Sequence, residues 1–187
     1  MTVMTQSEAG ELTLLDGTVV HYRAIRPEDA PALQRFHSRL SERSIYQRLF
    51  GVMPVLSDQL AHRFTHVDGY DRFALVALDP TDPNELIGVA RFDREPGTDR
   101  AEYAAIVVDQ WQGRGLGLAL TRRLVDAARR RNVRHLYALV LPENARMLNL
   151  LRDLGLPERI KHVDGIERVE LDLDGAAGTA ASTVREE

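Results

Sequence analysis

Apolar positions along the chain recur with a period of two in some stretches and of three to four in others, and the switches between them lay out the elements. Residues 12–15 and 18–25 alternate as strands around Asp16-Gly17, a dipeptide suited to the positive φ of a tight hairpin. Pro27, Glu28 and Asp29 then open a helix whose apolar face is Ala30, Leu33, Phe36, His37 and Leu40. Shorter helices are predicted over 41–50 and 57–64, split by a breaker from Gly51 to Pro54. Residues 73–78 and 86–92 read as antiparallel strands joined by a turn rich in Asp and Pro.

The second half of the chain alternates strand and helix. Residues 101–108 are mostly small or β-branched and suit a buried sheet centre. Leu116, Leu120, Leu124 and Ala127 mark one face of a helix ending near Asn132. A buried strand over 133–141 follows, and Pro142-Glu143-Asn144 opens a helix bearing Met147, Leu148, Leu151 and Leu154, closed by Gly155. A last hairpin, 159–163 and 166–173, turns on Asp164-Gly165. The order implies one domain over 10–174 of α/β (α+β) class, with residues 1–9 and 175–187 read as disordered.

Composition narrows the chemistry. A chain of 187 residues, 44% hydrophobic, can bury a full core. No apolar run reaches the roughly 18 residues that span a bilayer, and the start lacks a signal-peptide pattern, so no membrane role and a cytoplasmic protein are expected. With no cysteine, disulfides and thiolate nucleophiles are excluded, and the six histidines show no metal-ligand spacing, so no metal is expected. A formal charge of −4 argues against general nucleic-acid binding. Lys161 is the one lysine among 24 basic residues. Coding bias toward arginine and an enzyme that modifies lysines and keeps few of its own both fit that imbalance.

The densest chemical signal is Gln112-Gly113-Arg114-Gly115-Leu116-Gly117, placed between a strand and a helix. Glycines there let backbone N–H groups approach an anion, and the helix N-terminus faces it with a partial positive charge. The loop therefore reads as a diphosphate cradle. Each such contact is worth about 0.3–1 kcal/mol when exposed, so several must converge.

The acid-bearing strand Val107-Val108-Asp109, the 112–117 loop, a helix, a strand and then Glu143-Asn144 through Leu154-Gly155-Leu156 follow one another in the order of the GNAT superfamily of acyl-CoA-dependent N-acetyltransferases, which the chain resembles over about residues 11–173. Gln112, Gly115 and Gly117 fill the Gln/Arg-x-x-Gly-x-Gly/Ala signature of that superfamily. A narrower resemblance is to the acetyltransferase domain of bacterial Pat-type protein lysine acetyltransferases. It rests on Leu14-Leu15-Asp16-Gly17-Thr18, Ile25-Arg26-Pro27-Glu28-Asp29, Leu40-Ser41 with Ser44 and Tyr46, Thr65-His66-Val67-Asp68, and Ala101-Glu102. The nucleotide-binding or acyl-CoA-synthetase-like portions that some such proteins carry do not fit in this length.

The resemblance implies a central mixed, mostly antiparallel twisted sheet, splayed at the acyl-CoA strand and flanked by helices. It implies acetyl-CoA as cosubstrate, its pantetheine arm held by backbone groups of Ile106 and Val108, with Val107 between them also in the cofactor site, and the rest by the loop from Gln112 through Gly113, Arg114, Gly115, Leu116 and Gly117 to Leu118, and by Asn144 and Met147. Glu102, on the side of Ala104 and Ile106 by strand alternation, is the expected catalytic base, with apolar neighbours available to raise its pKa. His66, Asp68 and Tyr70 are expected to border the acceptor channel. Many superfamily members place a tyrosine seven residues after the asparagine to protonate the leaving thiolate, and here that position is Leu151. The expected activity is acetyl transfer to lysine ε-amines of a protein partner. Acetylation of a small amine, or a non-catalytic acyl-CoA-binding module, are the alternatives.

Overall fold

The Asp16-Gly17 turn adopts the conformation that its sequence favours. Gly17 takes φ +84°, and β1 (Ala9–Thr13) folds back on β2 (Val19–Ala24) with Leu12 opposite Val20. The computed structural model describes residues 8–175. A 3₁₀ turn at Pro27–Asp29 leads into α1 (Ala30–Ser38), followed by α2 (Glu42–Leu49) and α3 (Asp58–Thr65). Ser41 and Ser57 cap α2 and α3 by accepting from the N–H groups of Ser44 and Leu60.

Strands β3 (Arg72–Leu78), β4 (Leu86–Arg94) and β5 (Arg100–Val107) run as an antiparallel meander into α4 (Leu116–Arg130), β6 (His135–Val140), α5 (Ala145–Asp153), β7 (Glu158–Val163) and β8 (Ile166–Asp172). Together the strands form an eight-stranded mixed sheet in the order β1-β2-β3-β4-β5-β6-β8-β7. The last hairpin turns on Asp164 and Gly165, both at positive φ (51° and 78°).

Strand alternation divides the core in two. Phe73, Leu75, Ala90, Phe92, Ala101 and Tyr103 pack under α4, through Leu116, Leu120 and Leu124, and under Leu151 of α5. Ala74, Val76, Leu86 and Val89 face the other way, against Leu33 and Phe36 of α1 and Ala61 of α3. A bulge at Ile87, where Ala77 pairs with Gly88 and Leu78 with Leu86, reverses the parity of β4 near its start.

One pairing positions the site. Among the described residues β5 and β6 are the sole parallel neighbours, joined at Arg100–Glu102 with His135–Tyr137. Beyond that point β5 follows β4 as far as Val107, while β6 follows β8 as far as Val140. The two central strands therefore separate and leave a V-shaped opening in the sheet.

Residues 1–9 need a correction. Glu8 is held between Arg130 (2.8 Å) and Arg131 (2.9 Å), and Ala9 already belongs to β1. The remainder of the expected disordered ends, 1–7 and 176–187, lies outside the described residues. The arginines that close α4 act as ties: Arg131 also donates to the Gly69 carbonyl (2.7 Å) and Arg129 to that of Leu173 (2.8 Å).

At the entry to α1, Arg23 grips Asp29 with two hydrogen bonds, Nη1 to Oδ2 at 2.7 Å and Nη2 to Oδ1 at 2.8 Å, and the Arg26 N–H donates to Oδ2 at 2.8 Å. The Asp29 side chain is 8% exposed and that of Arg23 is 19% exposed. Burial works to raise the Asp29 carboxyl, yet the Arg23 fork and the Arg26 N–H hold it below the ordinary carboxylate range. Asp29→Ala is expected to lower stability by about 2–3 kcal/mol, since it strands a largely buried guanidinium, as measured by urea unfolding at neutral pH. An unchanged midpoint would show that Arg23 is satisfied without its partner. Because the folded carboxyl is the more acidic, this contribution is complete above the unfolded value near 3.8 and fades as pH falls below it.

Candidate active site

The opening between β5 and β6 continues into a cleft of about 730 Å³, in the range of small-molecule sites. Its floor is Glu102 to Val107 of β5, its far wall Ala138 to Val140 of β6, and its rim the 112–118 loop, α5 and the inner side of α2. The loop is shaped by two left-handed glycines, Gly113 (φ +73°) and Gly115 (φ +85°), and Gly115 stands at the N-cap of α4 without any side-chain cap. The first N–H groups of a 15-residue helix are thus left to point into the cleft. A Cβ on Gly117 would lie 3.0 Å from Leu150 Cδ1, so the absent side chain lets α5 close against the loop.

Ten of the expected cofactor contacts line this cleft: Ile106, Val107, Gln112, Gly113, Gly115, Leu116, Gly117, Leu118, Asn144 and Met147. The backbone assignment on β5 requires correction. The Val108 N–H donates to the Ile87 carbonyl at 3.0 Å, and its own carbonyl accepts from Trp111 at 2.8 Å, so neither group is available. By antiparallel alternation Ile106, paired with Val89, also bonds toward β4. The backbone of Ala105 and the Val107 N–H are directed into the gap, while the Val107 carbonyl is taken by Gln112 and Tyr103 borders the last pairing with β6. Ile106 contributes its side chain, and Val108 is buried at the base of α1 to α3.

Arg114 is likewise absent from the lining. It stacks over Trp111 at 4.4 Å and reaches Asp16 at 3.4 Å, while the Leu15 N–H donates to the Arg114 carbonyl at 3.0 Å. The β1–β2 hairpin thereby braces the loop and sets Leu15 at the cleft rim. Gln112 is internally engaged: its Nε2 donates to the Val107 carbonyl (2.9 Å) and to Ser44 Oγ (3.2 Å), and its Oε1 accepts from Arg146. Asn144 caps α5 by accepting from the Met147 N–H at 3.2 Å.

Glu102 is exposed at the cleft mouth, with Asp93 opposite it on β4 and Tyr137 on β6. Its surroundings are polar rather than apolar, which corrects the expectation. Asp93 is already taken by Arg72 (3.0 Å) and Arg91 (3.5 Å), whereas Glu102 joins none of the ion pairs among the described residues. Tyr103 points to the other face, where it shares a 2.7 Å hydrogen bond with Thr121, and burial pushes its phenol up. Leu151 is fully buried beneath α4, so this position offers no hydroxyl to act as the acid.

His66, Asp68 and Tyr70 do not reach the cleft. His66 closes α3, stacked on His62 at 3.6 Å with Nδ1 against the His62 carbonyl. Asp68 accepts from the N–H groups of Tyr70 and Arg72, both at 2.9 Å, and organises the turn into β3. Tyr70 lies under Arg94 and hydrogen-bonds Asn132. A His-x-Asp pair after a short helix has these local uses because both side chains readily bond nearby backbone.

The α2 contribution was not read from the sequence. Asp109, just past β5, accepts from the Ser41 N–H (3.0 Å), Ser41 Oγ (2.7 Å) and Ser44 Oγ (3.1 Å) and so fixes the start of α2 over the cleft. Burial opposes ionisation, but these donors hold the Asp109 carboxyl below its usual range. Asp109→Ala is expected to cost about 1–3 kcal/mol and to speed amide exchange over Glu42–Leu49 by mass spectrometry. Unchanged protection there would show that α2 is held by packing alone.

Residues 20–157 match the acetyltransferase (GNAT) domain family. An acetyltransferase of Pseudomonas aeruginosa is 32% identical over 145 residues, 76% of this chain and 77% of that protein. Acetyltransferase Pat of Mycolicibacterium smegmatis is 31% identical over 144 residues, which are 74% of this chain but 41% of that protein. Among solved structures, the GNAT domain of S. lividans PAT superposes with a TM-score of 0.82 at 35% identity, covering 88% of this chain and 97% of that one.

Proposed function

The chain belongs to the GNAT family of acetyltransferases, and from that premise we propose that it moves an acetyl group from acetyl-CoA to the ε-amine of a lysine in a protein, by direct attack in a ternary complex. The observation that carries this reading is Glu102, a carboxylate in none of the ion pairs among the described residues, at the mouth of the cleft where β5 and β6 part. Resemblance to Pat supports the acceptor class. The solvent exposure of Glu102 suits an amine delivered from outside on a long side chain.

The residues present fit the donor. Uncapped N–H groups of Leu116, Gly117 and Leu118 would meet a diphosphate, and the open backbone of Ala105 and the Val107 N–H offer a pantetheine arm the edge of a strand. Acetyl-CoA supplies an activated thioester carbonyl. A lysine ammonium with pKa near 10.4 must lose a proton at a cost of about 4–5 kcal/mol at neutral pH, and Glu102 accepts that proton, through water where the amine stands off. The amine nitrogen then bonds to the carbonyl carbon, the C–S bond breaks, and CoA leaves as thiolate. With Leu151 in place of a hydroxyl, departure relies on a thiol pKa near 8.5, low enough for the thiolate to leave unaided.

Mass spectrometry of reactions with acetyl-CoA tests the acceptor class directly. An N-terminally blocked lysine peptide should gain an acetyl group on the ε-nitrogen faster than polyamines or free amino acids do. A clear preference for a small amine would discard the protein acceptor while leaving the acetyltransferase assignment intact.

A further inference from the structure

Arg91 stands on β4 directly opposite Ala104 of β5 and is 5% exposed. Because its neighbour across the ladder carries only a methyl group, space remains above Ala104. That space is a second, inner cavity of about 60 Å³, which shares Arg48, Leu49 and Ala104 to Ile106 with the main cleft. Apart from the two arginines its walls are largely apolar, with Phe36, Phe64 and Val89 among them.

The Arg91 guanidinium is poorly satisfied. Nη1 donates to the Phe64 carbonyl at 3.3 Å, and the Phe64 ring lies 4.8 Å from the guanidinium carbon. Asp93 is 3.5 Å from Nε but is shared with Arg72. Nε and Nη2, which form one edge of the guanidinium, are buried without a hydrogen-bond partner. Arg48 enters the same cavity from α2, half-buried and in none of the ion pairs among the described residues. Burial pulls Arg91 down to about 10, with Asp93 opposing and Arg48 adding to the fall, so it stays charged at neutral pH. Buried cations with unmade hydrogen bonds are costly, and a planar anion on the Nε–Nη2 edge would satisfy both donors at once.

We propose that the inner pocket receives the distal carboxylate of a carboxylated acyl group, so that the enzyme takes a dicarboxylic monoacyl-CoA such as succinyl-CoA as donor. The proposal rests on the acyl-CoA reading of the cleft. Under that reading the acyl end lies at Ala104 to Ile106, where the inner pocket opens, and apolar walls suit the intervening methylenes. Transfer balances as for acetyl: the amine C–N bond forms, the C–S bond breaks, the proton goes to the base, and the distal carboxylate is unchanged. A modified lysine would then pass from positive to negative rather than to neutral.

Binding of acetyl-CoA, butyryl-CoA and succinyl-CoA, measured by calorimetry without acceptor, tests this. Succinyl-CoA should bind about tenfold tighter than butyryl-CoA, as a charge-assisted bidentate contact provides. Arg91→Met should abolish that preference and leave acetyl-CoA affinity unchanged; Arg48→Met, at a less buried site, should reduce the preference even if the first variant fails to fold. Equal or weaker binding of succinyl-CoA in the wild type overturns the proposal, as does a preference for it that both variants retain in full. Failure of acetyl-CoA itself to bind would overturn the reading of the cleft, and the inner pocket with it.

Discussion

Glu102→Gln is expected to reduce turnover on a lysine peptide by about 10²–10⁴-fold, the usual contribution of a general base, with acetyl-CoA binding by calorimetry left within about twofold of wild type. Glutamine keeps the volume and polarity of the side chain but cannot accept a proton. Its neighbours among the described residues do not replace it, because Asp93 is occupied by Arg72 and Arg91 and Tyr103 is turned into the opposite core. The pH profile separates this from a packing defect. With the base removed, the rate depends on the small fraction of free amine, which grows tenfold per pH unit toward the lysine pKa near 10.4. The variant should therefore recover as pH rises, and its deficit should narrow. A deficit that stayed constant across the alkaline range would assign Glu102 to positioning instead, and full activity at neutral pH would remove it from the reaction.

Much of the fold was legible because its signals are local. Asp16-Gly17 and Asp164-Gly165 suit positive φ, the Gly51 to Pro54 breaker separates two short helices, and the switch from period two to period three or four around residues 112–117 places the loop between strand and helix. What failed depends on pairing. Whether Ile106 or Val107 turns its backbone to the cofactor is a question of parity with β4, fixed by the long-range bond from Val108 to Ile87 and invisible in the strand's own residues. Arg114 looked like a phosphate contact because it sits in the motif, and only the fold shows Asp16 and Trp111 beside it. His66, Asp68 and Tyr70 were placed by proximity in sequence to an expected groove, whereas their bonds are to their own turn. The clamp of Asp109 on Ser41 and Ser44 spans more than sixty residues, and no local pattern signals it.

Gly115→Val should lower acetyl-CoA affinity by about 10²-fold, and the reasons are independent of the base. Gly115 takes φ +85°, a region in which a β-branched residue is a genuine outlier, and its Cβ would lie 3.0 Å from Leu15 Cγ. The strain is of order 1–3 kcal/mol, enough to draw the loop out of its native shape. Leu15 is 83% exposed and its side chain can turn aside, so the cost that remains is the backbone strain at the point where the hairpin is bonded to the loop through the Leu15 N–H and the Arg114 carbonyl. Movement of the loop turns aside the N–H groups at the start of α4. Two such charge-assisted contacts, at roughly 1.5 kcal/mol each, correspond to the predicted loss. Gly113→Ala is the matched control. It too stands at positive φ, +73°, but a Cβ there meets nothing within 4 Å, so the smaller residue should cost about tenfold or less in affinity. The two variants measured side by side, by calorimetry with acetyl-CoA and by thermal melting, separate loop shape from global stability. If Gly115→Val binds as tightly as wild type, the diphosphate is not held by this loop, and the cleft must seat its ligand by side chains instead.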